Sequence, residues 1–315
     1  FFCILKINYF IVMNNMFNKL ITFLVPFLPK IFVRLFSNKY IAGINQDEAL
    51  KIIKRLNDKN LLATIDILGE HTKLINEANL ITNEYVSLYK KIKSKNLNCN
   101  ISIKPSHIGA DISEDLFLKN LEKIHSHSIS CDNFLRIDME DSSFTNLTIN
   151  AFNHRYKIKN NIGIVIQAYL KRSHNDIIKL KEKTNIRLCK GIYNESKQVA
   201  IKNPIEINKN YIALLKTAIK QGMFVGIATH DPKLIDDIIE YIEDENINNT
   251  QFEFQFLYGV PLGNMLHKIK NKNFNIRIYT PFGKNWYEYS IRRLKENPNI
   301  SGYIIKNIFK KNFYK

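Results

Sequence analysis

The chain has 315 residues, of which 45% are hydrophobic and 24% are charged. This balance is typical of a globular protein with a sizeable core; it excludes a disordered tail, and the length excludes a disulfide-stapled mini-protein. The 46 basic and 29 acidic residues give a net charge of +17. Such a charge is typical of proteins with an anionic partner, for example nucleic acid, a membrane surface or a charged ligand. Because the lysines are spread along the whole chain, we favour a lysine-rich composition from AT-rich coding DNA as the explanation.

Four cysteines, at positions 3, 99, 131 and 189, show no Cys-x-x-Cys spacing. Zinc sites and redox pairs of that kind are therefore not predicted. Cys189 lies in a strand-like segment and is predicted to be a small core residue. Free thiols indicate a reduced compartment, so we expect a cytoplasmic protein.

Residues 1–45 are predicted to form an amino-terminal helical segment. Within it, Phe17, Leu20, Ile21 and Leu24 share one helical face. Lysines and prolines interrupt the apolar stretch 17–36, which disfavours a membrane-spanning helix, and no cleavage pattern of a signal peptide follows. An amphipathic helix with basic flanks either packs on the body of the protein or lies on a membrane surface. We favour packing and keep peripheral contact with the inner membrane as the alternative.

Strand-like and helix-like segments alternate from residue 46 onward, where Asp47 is the predicted N-cap of the first helix. The predicted strands are Leu61–Ile67, Asn100–Lys104, Asn133–Asp138, Gly163–Tyr169, Ile186–Lys190, Phe224–Thr229, Glu253–Leu257 and Asn275–Tyr279. The helices predicted between them include Leu74–Lys93, Asp115–Ser126, Asn175–Lys183, Tyr211–Gln221 and Pro232–Ile242.

Apolar strands that alternate with helices predict an α/β protein whose parallel sheet is covered on its faces. Eight such units predict a closed (βα)₈ TIM barrel formed by residues 46–315 as one domain. An open doubly wound sheet is the alternative. The segment Leu68-Gly69-Glu70 after the first strand is too poor in glycine for a dinucleotide fingerprint, which disfavours that alternative.

Polar residues occur at the predicted ends of six strands, where barrel enzymes hold their catalytic groups. They are Lys104, Arg136, Asp138, Glu140, Gln167, Tyr169, Arg187, Lys190, Tyr193, Thr229, His230, Asp231, Arg277 and Tyr279. This mixture of charges predicts a site for a large polar ligand. It contains no dominant pair of carboxylates, which argues against glycoside hydrolysis. His230 lacks spaced partner ligands, so no metal site is predicted.

The last predicted helix runs from Trp286 to Asn297 and is stopped by Pro298. Its spacing places four residues on one face: Tyr289, Arg292, Arg293 and Glu296. This face is either solvated, with internal ion pairs, or a paired guanidinium clamp for a carboxylate, because arginine offers a planar fork of donors.

Eight segments, in this order, resemble the flavin-dependent proline dehydrogenases in their short, single-function bacterial form. They are 103–106 (IKPS), 136–142 (RIDMEDS), 165–170 (VIQAYL), 187–193 (RLCKGIY), 228–231 (ATHD), 253–259 (EFQFLYG), 279–283 (YTPFG) and 289–298. The likeness extends from about residue 40 to residue 299. It implies a distorted (βα)₈ barrel with the last helix over the barrel mouth. It also implies non-covalent FAD, oxidation of L-proline to 1-pyrroline-5-carboxylate, and electron transfer to a membrane quinone.

The resemblance also assigns roles to matching positions. Arg292 and Arg293 would clamp the carboxylate of proline, and Glu296 would pair with them. The other substrate-binding residues would be Lys104, Leu257, Tyr279 and Tyr289. Asp138 would be an active-site carboxylate, and Arg187 would lie near flavin N5, where a fixed cation favours the reduced, anionic flavin. The remaining FAD contacts would be Met139, Gln167, Lys190, Gly191, Ile192, Thr229 and His230.

The sequence departs from the family pattern at two positions: Ile192 stands where a smaller residue is usual, and Asp231 stands where asparagine is common. The nearest rival is a barrel enzyme with another flavin or a phosphate ligand. A basic protein that binds nucleic acid or membrane is the rival from another class. It would need clustered basic residues with exposed aromatics, which the sequence does not contain, so no nucleic-acid partner is expected.

Overall fold

A computed structural model describes Arg34, Ser37 and residues 39–296, except the side chains of residues 292–296. The strands in this part of the chain are β1 (Leu62–Ile67), β2 (Cys99–Ile103), β3 (Leu135–Ile137), β4 (Ile162–Gln167), β5 (Asn185–Cys189), β6 (Phe224–Ala228), β7 (Phe252–Leu257) and β8 (Ile276–Phe282). The helices are α1 (Gln46–Asn57), α2 (Ile75–Ser94), α3 (Glu114–Ser130), α4 (Thr145–Ile158), α5 (Ser173–Lys179), α6 (Pro204–Lys220), α7 (Pro232–Asp244), α8 (Met265–Asn271) and α9 (Trp286–Glu296). A 3₁₀ turn, Ser106–Ile108, follows β2.

The eight strands form a closed parallel barrel in chain order. β1 closes it against β8, in register from Leu62 opposite Arg277 to Ile67 opposite Phe282. Most strand positions are buried, because side chains face either the barrel interior or the surrounding helices. The predicted (βα)₈ fold is confirmed, and the open doubly wound sheet is excluded.

The first helix shows how local sequence sets an element. Its buried stripe is formed by Ala49, Leu50, Ile53 and Leu56. The predicted N-cap, Asp47, is wrong. Asn45 caps the helix instead, because its side chain accepts a hydrogen bond from the amide of Glu48 at 3.0 Å. Asp47 lies in the first turn, where a negative charge favours the positive end of the helix dipole.

Predicted and observed strand ends agree within three residues. β3 is shorter than predicted, because its register with β2 and β4 ends at Ile137. The amide of Asp138 still donates to the carbonyl of Ile103 in β2 at 2.8 Å. β8 continues to Phe282, because its register with β1 extends to that residue. Neither α4 nor α8 was predicted individually.

The start of α9 lies at the carboxyl end of the barrel. Tyr289 is buried against Leu68, which directly follows β1, and against Ile41. This contact agrees with the expected position of the last helix, over the barrel mouth. The predicted amphipathic helix with Phe17, Leu20, Ile21 and Leu24 on one face lies outside the described residues, so residues 1–45 as a separate segment stay a prediction. No helix in the described part of the chain is long and apolar enough to cross a bilayer.

Candidate active site

Asp138, just after β3, is the centre of a polar cluster at the carboxyl end of the barrel. Its Oδ1 accepts hydrogen bonds from Ser102 Oγ at 2.6 Å and from Arg187 Nη1 at 2.7 Å. Its Oδ2 accepts a hydrogen bond from the Tyr279 hydroxyl at 2.9 Å. Three donors from β2, β5 and β8 therefore fix this carboxylate, whose side chain is 14% exposed.

Lys104 lies beside this carboxylate and is paired with a second one. Its Nζ lies 2.6 Å from Asp66 Oδ2 and 4.0 Å from Asp138 Oδ2. Burial raises the pKa of Asp66. Burial alone would lower the pKa of Lys104, but the charges of Asp66 and Asp138 outweigh it and raise that pKa. Lys104 is therefore a fixed cation at neutral pH.

Tyr279 forms one wall of the cluster. Burial and, next, the charge of Asp138 raise the pKa of its hydroxyl well above the ordinary value, so the hydroxyl stays protonated and donates to Asp138. The guanidinium of Arg187 lies over the ring, 5.0 Å from its centroid. The side chain thus combines a hydrogen-bond donor with an apolar face, as a pocket for a small amphipathic ligand requires.

Two arginines predicted at strand ends lie in a deeper layer instead. Arg277 donates to Glu253 at 2.5 Å and to the carbonyl of Ala63 at 2.8 Å. Arg136 is buried and donates to the carbonyls of Ile164 and Asn185. Arg277 and Arg136 precede Tyr279 and Asp138, respectively, by two residues. Side chains two residues apart lie on the same face, so both arginines face the barrel interior, one layer nearer the amino ends of the strands. Their predicted place at the site is wrong.

Most of the predicted cofactor-binding residues lie at the carboxyl ends of β4, β5 and β6, and Met139 follows β3. Gln167 is buried and donates to the carbonyl of Met139 at 3.3 Å, while its Oε1 accepts no hydrogen bond from any residue that the structure describes. Lys190 Nζ lies 2.6 Å from Asp231 Oδ2 and remains one-third exposed. This part of the mouth therefore contains a buried acceptor without a partner among the described residues and a partly exposed cation.

Gly191 and its neighbours complete this side of the mouth. The φ angle of Gly191 is +105°, and a Cβ there would lie 2.1 Å from the ring of Tyr169, so the position requires glycine. Ile192 is exposed and Thr229 is buried. The Nε2 atom of His230 accepts a hydrogen bond from the amide of Leu257 at 3.1 Å.

The structure thus brings the predicted site residues to one end of the barrel in two neighbouring groups. The first group contains Lys104, Asp138, Arg187 and Tyr279, and the second contains Gln167, Lys190, Gly191, Thr229 and His230. Leu257 is linked to the second group through His230. The side chains of Arg292, Arg293 and Glu296 lie outside the described part of α9, so the clamp stays a prediction.

Three residues of the cluster were not predicted from the sequence: Asp66, Ser102 and Gln255. Gln255 accepts from Arg187 Nε at 2.6 Å, and Ser102 donates to Asp138. Each is a polar residue with an apolar residue directly before and after it in its strand, and Asp66 is the one charged residue of β1. A polar residue between apolar residues in a barrel strand was the signal that could have identified them.

Comparisons with known proteins show which family the chain resembles. A family model described as proline dehydrogenase matches residues 49–305. Proline dehydrogenase 1 of Bacillus subtilis strain 168 is 35% identical over 279 residues, covering 88% of this chain and 92% of that protein. Proline dehydrogenase of Deinococcus radiodurans is 28% identical over 280 residues, covering 87% of this chain and 90% of that protein.

The same fold occurs in a solved structure of proline utilization A from Bdellovibrio bacteriovorus inactivated by N-propargylglycine. Its TM-score is 0.79 at 24% identity, and the match covers 96% of this chain and 38% of that one. The chain therefore spans little more than a third of that longer protein, and this likeness concerns the fold alone. The family model and the Bacillus relative each cover most of the chain, so the chain belongs to the proline dehydrogenase family.

Proposed function

We propose that this protein oxidises L-proline to 1-pyrroline-5-carboxylate with FAD and passes the electrons to a membrane quinone. The observation that carries the proposal is the cluster of Lys104, Asp138, Arg187 and Tyr279 at the barrel mouth of a chain from this family. Fixed cations and a fixed carboxylate beside an aromatic wall suit a small cyclic amino acid.

The reaction removes a hydride from the ring carbon that is bonded to nitrogen and does not bear the carboxylate, and a proton from that nitrogen, so that a C=N bond forms. FAD, when bound, accepts the hydride. The residues of the chain must orient the substrate and exclude water, because the rate depends on the alignment of the reacting C–H bond. Asp138 and Tyr279 suit this task, since their hydrogen bonds hold both in one position.

The second group of mouth residues fits an FAD molecule. Gln167 offers a buried acceptor without a partner among the described residues, and Lys190 offers a partly exposed cation. Gly191 leaves the backbone open to close approach of a ligand. We assign the FAD contacts to Met139 and Ile192 and to the second group, and we place Arg187 beside the flavin ring.

Proline itself is assigned to the side of the mouth nearest Lys104. Its carboxylate would meet Arg292 and Arg293, which are matched to the resemblance by sequence position alone, and its ring would meet Leu257, Tyr279 and Tyr289. Replacing Arg292 with Met should raise KM for L-proline strongly and leave the flavin content unchanged, because the clamp contacts the substrate. Steady-state kinetics identical to those of the wild type would contradict the clamp.

The deciding experiment is a flavin and substrate assay on the purified protein. The preparation should be yellow and should release FAD on denaturation, identified by chromatography against FMN. With a dye acceptor, L-proline should be turned over, and trapping should identify 1-pyrroline-5-carboxylate; hydroxyproline serves as the comparison substrate. A colourless protein that does not bind added FAD would contradict the proposal. Bound flavin without proline turnover would instead support a barrel enzyme with another substrate.

Electron transfer to a membrane quinone requires contact with a bilayer. We propose a cytoplasmic protein that meets the inner membrane peripherally, which its charge of +17 favours on anionic lipid. Reduction of a soluble quinone analogue and sedimentation with anionic vesicles test the two parts separately. If the quinone analogue is not reduced and the protein does not sediment with the vesicles, the proposed electron transfer to a membrane quinone is contradicted. Oxidation of proline with a dye acceptor would still stand.

A further inference from the structure

One row of the barrel interior places two charged side chains on either side of a glycine. Arg187 of β5 stands in register with Gly226 of β6, and Gly226 stands in register with Glu253 of β7. Arg187 is 6% exposed and Glu253 is 3% exposed. A residue with a side chain at position 226 would fill the space between them.

The amide of Gln255 occupies that space. Its Nε2 donates to Glu253 Oε1 at 2.7 Å, and its Oε1 accepts from Arg187 Nε at 2.6 Å. A Cβ at Gly226 would lie 2.3 Å from Gln255 Nε2, which is closer than atoms can approach. The amide has one usable orientation, because a flip would turn its NH₂ toward another donor and its oxygen toward a carboxylate.

This contact holds the guanidinium of Arg187 at two edges. Gln255 binds the Nε edge, and Asp138 binds Nη1 at 2.7 Å. Two hydrogen bonds on different edges of a planar group fix its rotation as well as its position. Glu253, which accepts from the Gln255 amide, also accepts a hydrogen bond from Arg277 at 2.5 Å. The acceptor of the Gln255 amide is therefore itself fixed in position.

We infer that Gln255, lying over Gly226, is a positioning residue that holds Arg187 in the orientation used by the reaction. The inference rests on the proposed function, in which Arg187 lies beside the flavin. A displaced guanidinium stabilises negative charge on the reduced flavin less well. Loss of the Gln255 contact should therefore affect the flavin itself and leave proline binding unchanged, because the residues assigned to the carboxylate and the ring of proline do not include Arg187.

Gln255→Met is the principal test, because methionine is nearly isosteric with glutamine and removes both hydrogen bonds. The flavin midpoint potential of the holoenzyme should fall by about 30 mV, which corresponds to a tenfold change for a two-electron couple. Stopped-flow reduction by L-proline should show a lower limiting rate and an unchanged dissociation constant for proline. The absorbance spectrum reports FAD content independently of activity.

Gly226→Ala tests the same contact from the other side. The added methyl displaces the amide, so the potential and reduction rate should change as in Gln255→Met. In a Gln255→Ala background the same methyl should have no further effect on the potential, because the amide is already absent. Asn161→Ala is the matched control: it removes a structural amide that bonds His125 and Ser128 near the amino end of β4. It should lower Tm and leave the potential unchanged.

A wild-type potential and reduction rate in both Gln255→Met and Gly226→Ala would overturn the inference. If Gln255→Met does not fold, Gly226→Ala decides alone, since it retains every native polar group. A wild-type protein without flavin or without proline turnover contradicts the proposed function instead, so the two failures are distinguishable.

Discussion

The Nζ atom of Lys104 lies 2.6 Å from the Oδ2 atom of Asp66, and both groups are largely buried at the carboxyl ends of β2 and β1. The Tyr85 hydroxyl lies 3.4 Å from the other carboxylate oxygen of Asp66. Asp66 therefore serves as the counter-ion that keeps a charged lysine inside the barrel mouth. A buried pair of this kind is sensitive to the loss of one partner, because the remaining charge has no solvent to compensate it.

Asp66→Asn should destabilise the fold, because it preserves the shape of the side chain and removes the counter-ion of Lys104. We expect a loss of about 2 kcal/mol in the free energy of unfolding, below the usual range for a broken buried pair because Asp138 remains nearby. Urea unfolding measures the change. Asp58→Asn is the control, because the Lys54–Asp58 pair is equally short at 2.6 Å but exposed and should contribute little. Equal losses in the two variants would contradict the role of burial.

His107, in the 3₁₀ turn after β2, should make the protein less stable as the medium becomes acidic. Burial and, next, the charge of Lys104 lower the pKa of His107 to about 3. The unfolded chain binds a proton near pH 6.5 and the folded protein does not, so stability is fully present above pH 6.5 and falls as the pH drops toward 3. Between pH 7 and 5 this residue should remove about 2 kcal/mol.

His107→Gln tests that pH dependence. The variant lacks the titrating ring, so its loss of unfolding free energy between pH 7 and 5 should be smaller than that of the wild type. Urea unfolding at several pH values measures both curves. Above pH 7 they should run parallel, because the imidazole is neutral in the folded and unfolded states there. Parallel curves down to pH 5 would contradict a depressed pKa for His107.

The barrel could be predicted because its signal is repeated eight times. Each strand is a short apolar segment followed by a helix, and an error of a residue or two at one strand end does not alter the count. The N-cap was predicted less well, since Asn45 and Asp47 are both good capping residues. The amide of Ala42 donates to the carbonyl of Pro281 in β8 and so ties the chain to the barrel just before the cap at Asn45. The sequence does not show this contact.

The site was predicted as far as strand position allows. Residues two apart, such as Arg277 and Tyr279, share a face of the strand, but the sequence does not show how high each stands in the barrel. That height depends on the stagger between neighbouring strands, which arises only on closure. For the same reason Gln255 was missed, because its role depends on Gly226 and Arg187 from two other strands.

Asp231 has two functions that substitution can separate. Its Oδ1 accepts from the amides of Lys233 and Leu234 and so caps α7, while its Oδ2 binds Lys190 at 2.6 Å. Burial alone would raise its pKa, but the hydrogen bonds from Lys190 and Asn208 outweigh it and lower the pKa to about 2. Asparagine is as good a cap as aspartate, whereas alanine is not. Asp231→Ala should therefore be less stable than Asp231→Asn by about 1 kcal/mol in urea unfolding. Equal stabilities would show that the cap contributes nothing.

Gly191→Ala should release the flavin, because position 191 combines a left-handed backbone with a close neighbour. A Cβ there would lie 2.1 Å from the ring of Tyr169, so Tyr169 or the loop after β5 must move. Gly222→Ala is the matched control: its φ is +68°, but a Cβ there meets no atom within 4 Å. Gly222→Ala should thus suffer only backbone strain, of about 1 kcal/mol. The ratio of flavin to protein absorbance should fall in Gly191→Ala and stay at the wild-type value in Gly222→Ala. Full flavin occupancy in both variants would exclude the backbone at Gly191 from cofactor binding.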